Sequence, residues 1–179
     1  MEELAKPIAL HPDPLIALIL PAAVYPVEVV QAARFVKDAS NIPRVDQQPW
    51  DEKVKEVAKF PEVIAMMDTN LAWTVKLGEA FLEQPMDLMN AIQALRAKAQ
   101  AAGTLKTTPQ QVVVVTNEVV ERTYESQIVY VTNTVIQVQP ASTQVIYVPT
   151  YNPQVVYVEH HDDDAAIAVV SFIKFHENS

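Results

Sequence analysis

The sequence predicts an α+β fold: an N-terminal small helical bundle, then antiparallel β-hairpins or a β-meander, then a short C-terminal helix. Three observations predict it. As far as Gly103 the apolar residues recur at helical spacing. Between residues 111 and 158, 24 of 48 residues are Val, Ile or Thr and none is Gly, a composition that favours extended chain. Within that stretch one strand-like pattern, Q-x-x-[VY]-V, occurs four times. The expected organisation is a helical domain over 1–106, a β-rich segment over 107–159, and an acidic connection with a short terminal helix over 160–179. A chain of 179 residues is long enough for a packed core in one ordinary domain or two small ones.

Each helix has its own start and stop signals. Asp13 is placed to cap a first helix with Pro14 at its first position, and Leu15, Leu18 and Ile19 run inward until Pro21 interrupts. A second begins near Pro26, with Val29, Ala32, Ala33 and Val36 on one face and Glu28, Gln31, Arg34 and Lys37 on the other. Ser40 to Pro49 reads as a polar connection. Asp51 then caps a helix with Val54, Val57 and Ala58 inward, and Phe60-Pro61 ends it. Pro61 to Asp68 buries Val63, Ile64 and Met67, and Asn70 caps a helix carrying Trp73, Leu77, Ala80 and Phe81. The last helix starts at Pro85, lines up Leu88, Ile92, Leu95 and Ala99, places Lys98 near its negative end, and stops at Gly103 as a left-handed cap. Helices this short are not stable alone, so they must pack together.

The four strand copies begin at Gln111, Gln127, Gln144 and Gln154. Pro149-Thr150-Tyr151-Asn152-Pro153 is a five-residue loop between the last two. Side chains alternate across a strand. If the copies align Gln to Gln, Val113, Val115, Val129, Val131, Ile146, Val148, Val156 and Val158 make one aliphatic face suited to the helical layer. The other face then carries a row of Tyr130, Tyr147 and Tyr157.

Charge is uneven. Thirteen basic against 22 acidic residues give a net charge of -9, and beyond residue 110 the only cations are Arg122 and Lys174. Nucleic acids and anionic head groups require clustered Lys and Arg, so both are excluded as partners. Cysteine is absent, which removes disulfides, thiolate catalysis and Cys-ligated zinc. Pro14 to Val24 is about half the length of a bilayer span. Met1-Glu2-Glu3 lacks the cationic start of a signal peptide, so an exported form is expected to be a processed one.

Several motifs, in order, resemble a bacterial family, the domain of unknown function 3300. They are Pro7-Ile8-Ala9-Leu10 with Pro12-Asp13-Pro14-Leu15; Tyr25-Pro26-Val27-Glu28-Val29-Val30 with Ala32-Ala33-Arg34; Phe60 to Met67; Asn70-Leu71 with Trp73-Thr74, Leu77-Gly78 and Ala80-Phe81; Thr108-Pro109-Gln110-Gln111; and Tyr147-Val148-Pro149 with Tyr151-Asn152-Pro153. The resemblance covers most of residues 4–158. It implies an exported protein of the envelope or periplasm and brings no known activity. Two departures stand out: His11 occupies a position where Tyr is common, and the Val/Thr-rich stretch between Gln111 and Pro140 is longer, consistent with an added hairpin.

The candidate chemistry is sparse. Asp13, Glu28, Asp51 and Glu62 could supply the facing carboxylates of a glycan or peptide hydrolase of the envelope, yet all four sit where helix caps and first turns place acids. His160-His161-Asp162-Asp163-Asp164 offers metal-ligand types, but neighbours in extended chain point apart, and a connection capping a helix over Ala165 to Phe175 accounts for them. No nucleophile elbow or glycine-rich phosphate loop exists. No catalytic residue, metal site or cofactor is therefore assigned. The expected function is a non-catalytic interaction or scaffold module. It would bind an envelope protein or glycan through Tyr130, Tyr147, Tyr157 and Tyr151, or pair edge to edge, including with its own copies.

Overall fold

The computed structural model describes residues 1–159 and 170–176. Along the chain run α1 (Glu2–Ala5), α2 (Asp13–Ala22), α3 (Pro26–Val36), a 3₁₀ segment (Ala39–Gln47), α4 (Glu52–Ala58), α5 (Pro61–Thr69), α6 (Leu71–Glu83), α7 (Pro85–Ala101), β1 (Gln111–Tyr124), β2 (Gln127–Pro140), β3 (Val145–Thr150) and β4 (Ser171–His176). This is the α+β class the sequence predicts. Two compact units divide the chain, Met1–Leu95 and Arg96–Ser179, with the boundary inside α7.

In the first unit, prolines set the helix starts. Pro26, Pro61 and Pro85 are the first residues of α3, α5 and α7, where a missing N–H costs nothing and a fixed φ is already helical. Asp51 caps α4 by accepting from the Lys53 N–H at 2.9 Å. Two details differ from expectation. Pro12, not Asp13, is the N-cap of α2, and Pro21 lies within the last turn instead of ending the helix. Pro21 frees only the carbonyl of Ala17, a residue on the exposed side. The connection over Ala39–Gln47 is wound as 3₁₀ helix, capped by Asp38 and anchored by buried Val45.

The core of this unit comprises Ile8, Leu15, Ile19, Val29, Val57, Ile64, Met67 and Leu77, each fully enclosed. Two contacts join segments distant in sequence. Trp73 Nε1 donates to the Leu4 carbonyl at 2.8 Å. Gly78 lets α6 rest on backbone at the end of α2, for a Cβ there would lie 2.3 Å from the Ala23 oxygen.

In the second unit α7 ends as predicted: Gly103 adopts φ +76°, and the Thr104 and Leu105 N–H groups donate to the Ala99 carbonyl. Among the described residues the strands form two separate two-stranded sheets, β1 with β2 and β3 with β4, with no continuous meander joining them.

Two expectations are overturned. The fourth copy, Gln154 to Val158, is a series of turns and not a strand. Asn152 Oδ1 accepts from the Gln154 N–H at 2.9 Å, its carbonyl accepts from the Val155 and Val156 N–H groups, and Pro153 presets φ. Asn152-Pro153 thus starts a helix-like turn where a hairpin loop was expected. In the expected terminal helix Ala165 to Phe175, Ser171 onward is instead strand β4, whose partner is β3, with Ile146 opposite Phe175 and Val148 opposite Ile173. A helical face through Val170 and Ile173 competed with a two-residue alternation, and the open edge of β3 supplied the ladder that decided it. Residues 165–169 of that expected helix lie outside the described residues.

A candidate protein interface on the β1–β2 ribbon

β1 and β2 form an antiparallel ribbon of fourteen residues each, closed by the two-residue turn Glu125-Ser126. Both turn residues have positive φ, 47° and 71°, the pattern of the hairpin turns that match strand twist. This turn fixes the register. Val113 faces Val138, Val119 faces Thr132, Glu121 faces Tyr130 and Thr123 faces Ile128. Odd residues of β1 therefore share a face with even residues of β2.

That register overturns the Gln-to-Gln alignment of faces. Val113 and Val115 lie on the same side as Ile128, Tyr130, Ile136 and Val138, while Val129 and Val131 lie on the other with Val120 and Tyr124. Only the base is covered, at Gln111, Ile136 and Val138. Every residue from 115 to 134 is exposed, so the expected cover over Val129 and Val131 is missing among the described residues. Val119 is 67%, Tyr130 65%, Ile128 62% and Tyr124 56% exposed.

The base of the ribbon has its edges closed by side chains. Arg96, fully buried, donates from Nη1 to the Ile136 carbonyl at 2.8 Å. On the other edge the Thr107 hydroxyl accepts from the Val113 N–H at 3.0 Å. Thr134 Oγ1 donates to Asn117 Oδ1 across the ribbon at 2.8 Å.

The tyrosine row does not assemble on one sheet. Tyr130 is on β2, whereas Tyr147 is half-buried on β3 opposite Lys174. Tyr151 and Tyr157 do meet, rings edge to face at 6.2 Å and hydroxyls 3.4 Å apart, but Tyr157 is buried and its ring is not free to stack on a ligand. Burial pushes the Tyr157 phenol up to about 12. Exposed apolar residues of the ribbon that sequence reasoning missed are Val119, Val120 and Tyr124. The signal that could have found them is the Glu-Ser pair between two Val-rich runs, which sets register once it is read as a two-residue turn.

The four carboxylates serve helix starts. Asp13 is the first residue of α2 and Glu62 lies in the first turn of α5. Glu28 Oε2 accepts from the Asp51 N–H at 2.7 Å, and Asp51 caps α4. Glu28 and Asp51 meet, and both are engaged by backbone N–H groups. The Asp51 carboxylate, by its charge and a hydrogen bond, raises the Tyr25 phenol above its ordinary value. Among the described residues no three His, Asp or Glu cluster as metal ligands; His160, His161 and Asp162 to Asp164 lie outside them. No single helix among those residues is long and apolar enough to cross a membrane.

Comparison with known proteins places these observations in a lineage. The chain is 37% identical, over an alignment 179 positions long that covers 88% of it, to the uncharacterized protein YacH of Escherichia coli (strain K12). It spans only 29% of the length of that relative. No solved structure matches it. The family described as protein of unknown function, DUF3300, matches residues 1–168, and the chain belongs to that family.

Proposed function

We propose that this chain is a non-catalytic protein-interaction module of the bacterial envelope, engaging its partner through the distal half of the β1–β2 ribbon. The observation that carries this reading is the unbroken exposure of residues 115 to 134, which include Val119, Ile128 and Tyr130 on one face and Val120, Tyr124, Val129 and Val131 on the other. A two-stranded hairpin is marginal in water, and contiguous exposed apolar surface marks contact sites. The envelope location rests on the resemblance to exported members of the family. A photo-crosslinking side chain at Tyr130, in the protein expressed in its native context, should yield protein adducts in the envelope fraction, while the same group at Tyr147 should not. Equal adducts at both positions, or none at Tyr130, would refute the reading.

A further inference from the structure

We infer that the partner of the ribbon is a second copy of this chain, joined by antiparallel pairing of the two β2 strands into a four-stranded sheet. The inference rests on the interaction-module reading and adds which strand, which register and which molecule.

Hydrogen bonding determines which groups are available. A two-residue hairpin makes its closing pair, Tyr124 and Gln127, a hydrogen-bonded one, and pairs alternate from there. The N–H and C=O groups of Ile128, Tyr130, Thr132, Thr134 and Ile136 therefore point away from β1. The Ile136 carbonyl is taken by Arg96, which confirms the phase and closes that end. Among the described residues no backbone group accepts from or donates to the outward groups of Ile128, Tyr130, Thr132 and Thr134.

Those residues pair with themselves in one register. With Val131 on the two-fold axis, Ile128 faces Thr134 of the second copy and Tyr130 faces Thr132, so each outward residue exchanges two hydrogen bonds with a matching one. Shifting the axis to Thr132 sets Ile128 against Ile136, whose carbonyl is occupied.

Charge selects the strand and is compatible with the occupant that the register selects. Folded proteins protect sheet edges with charged residues, proline or bulges. β1 carries Glu118, Glu121 and Arg122, whereas β2 has no charged residue and no proline before Pro140. Two copies of a chain with net charge -9 repel over most surfaces, and the β2 edge is a run along which they meet with no charge to desolvate.

The test is sedimentation of the intact 179-residue chain and its variants at about 100 µM, where a micromolar complex is populated. Wild type should be a dimer. Thr132→Pro removes an outward N–H without touching the β1 ladder, a position where edge strands tolerate proline, and should weaken dimerisation about tenfold or more. Val119→Pro, the equivalent change on the β1 edge, should leave the dimer intact. Val131→Lys and Val131→Glu should each be monomeric alone and dimerise when mixed, because residue 131 faces its own copy. A monomeric wild type, a dimer that survives Thr132→Pro, or no recovery on mixing overturns the inference. If the chain is monomeric yet Tyr130 still crosslinks another protein, self-pairing alone fails; if neither occurs, the interaction-module reading fails too.

Discussion

Gly78→Ala should destabilise the first unit even though alanine is the better helix former. In an open helix the exchange gains about 1 kcal/mol. Here the new Cβ would sit 2.3 Å from the Ala23 oxygen, 2.7 Å from its carbonyl carbon and 3.0 Å from the Val24 nitrogen. All three neighbours are backbone at the end of α2, so no side chain can swing away and α6 must retreat by about 1 Å to reach ordinary contact. Overpacking of this kind costs about 1–3 kcal/mol. Set against the propensity gain, the net is a loss of up to about 2 kcal/mol, or about 4–8 °C in Tm per kcal/mol for a unit of this size. Urea denaturation followed by the fluorescence of Trp50 and Trp73, both in this unit, reads it as a lower midpoint at unchanged slope. Gly103→Ala makes the internal comparison: nothing lies within 4 Å of its Cβ position, and the cost, about 1–2 kcal/mol, comes from φ +76° alone. A Gly78→Ala variant at or above wild-type stability would refute the close approach of α6 to α2.

Asp51→Ala removes the cap on Lys53 N–H and should cost about 1 kcal/mol; the Tyr25 phenol should then titrate at lower pH, followed by its absorbance. Tyr157 is held protonated in the fold, at about 12 against 10.0. Its contribution is complete below pH 10 and is lost as pH rises through 12, so Tyr157→Phe should show a smaller drop in stability between those values than wild type. Ser126→Gly relieves a non-glycine residue at φ 71° and should raise hydrogen-exchange protection at the tip of the ribbon, by an amount equivalent to about 1 kcal/mol; unchanged protection would contradict the turn geometry.

Most of the helical half was legible because its signals are local. Pro26, Pro61, Pro85, Asp51 and Gly103 act within one turn of themselves, and the buried stripes Val54-Val57-Ala58 and Val63-Ile64-Met67 follow a period that needs no knowledge of the partner. What sequence reasoning missed there, the seating of Gly78 on Ala23 and the reach of Trp73 to Leu4, joins residues far apart in the chain. The ribbon shows the same divide more sharply. Valine-rich alternation identifies β1 and β2 as strands, yet whether Tyr130 shares a face with Val113 or with Val129 depends on one turn, and a shift of one residue exchanges the faces.

The sequence by itself determined the class, the starts of α3, α4, α5 and α7 and the extended character of residues 111 to 140, since backbone propensity, capping and periodicity are properties of neighbours along the chain. Tertiary structure alone decided that Gln154 to Val158 turns instead of pairing, that Ser171 to His176 is strand, and that the distal ribbon is open to solvent. Strand pairing and burial are set by which surfaces are available to meet, and that choice is made between residues the chain keeps far apart.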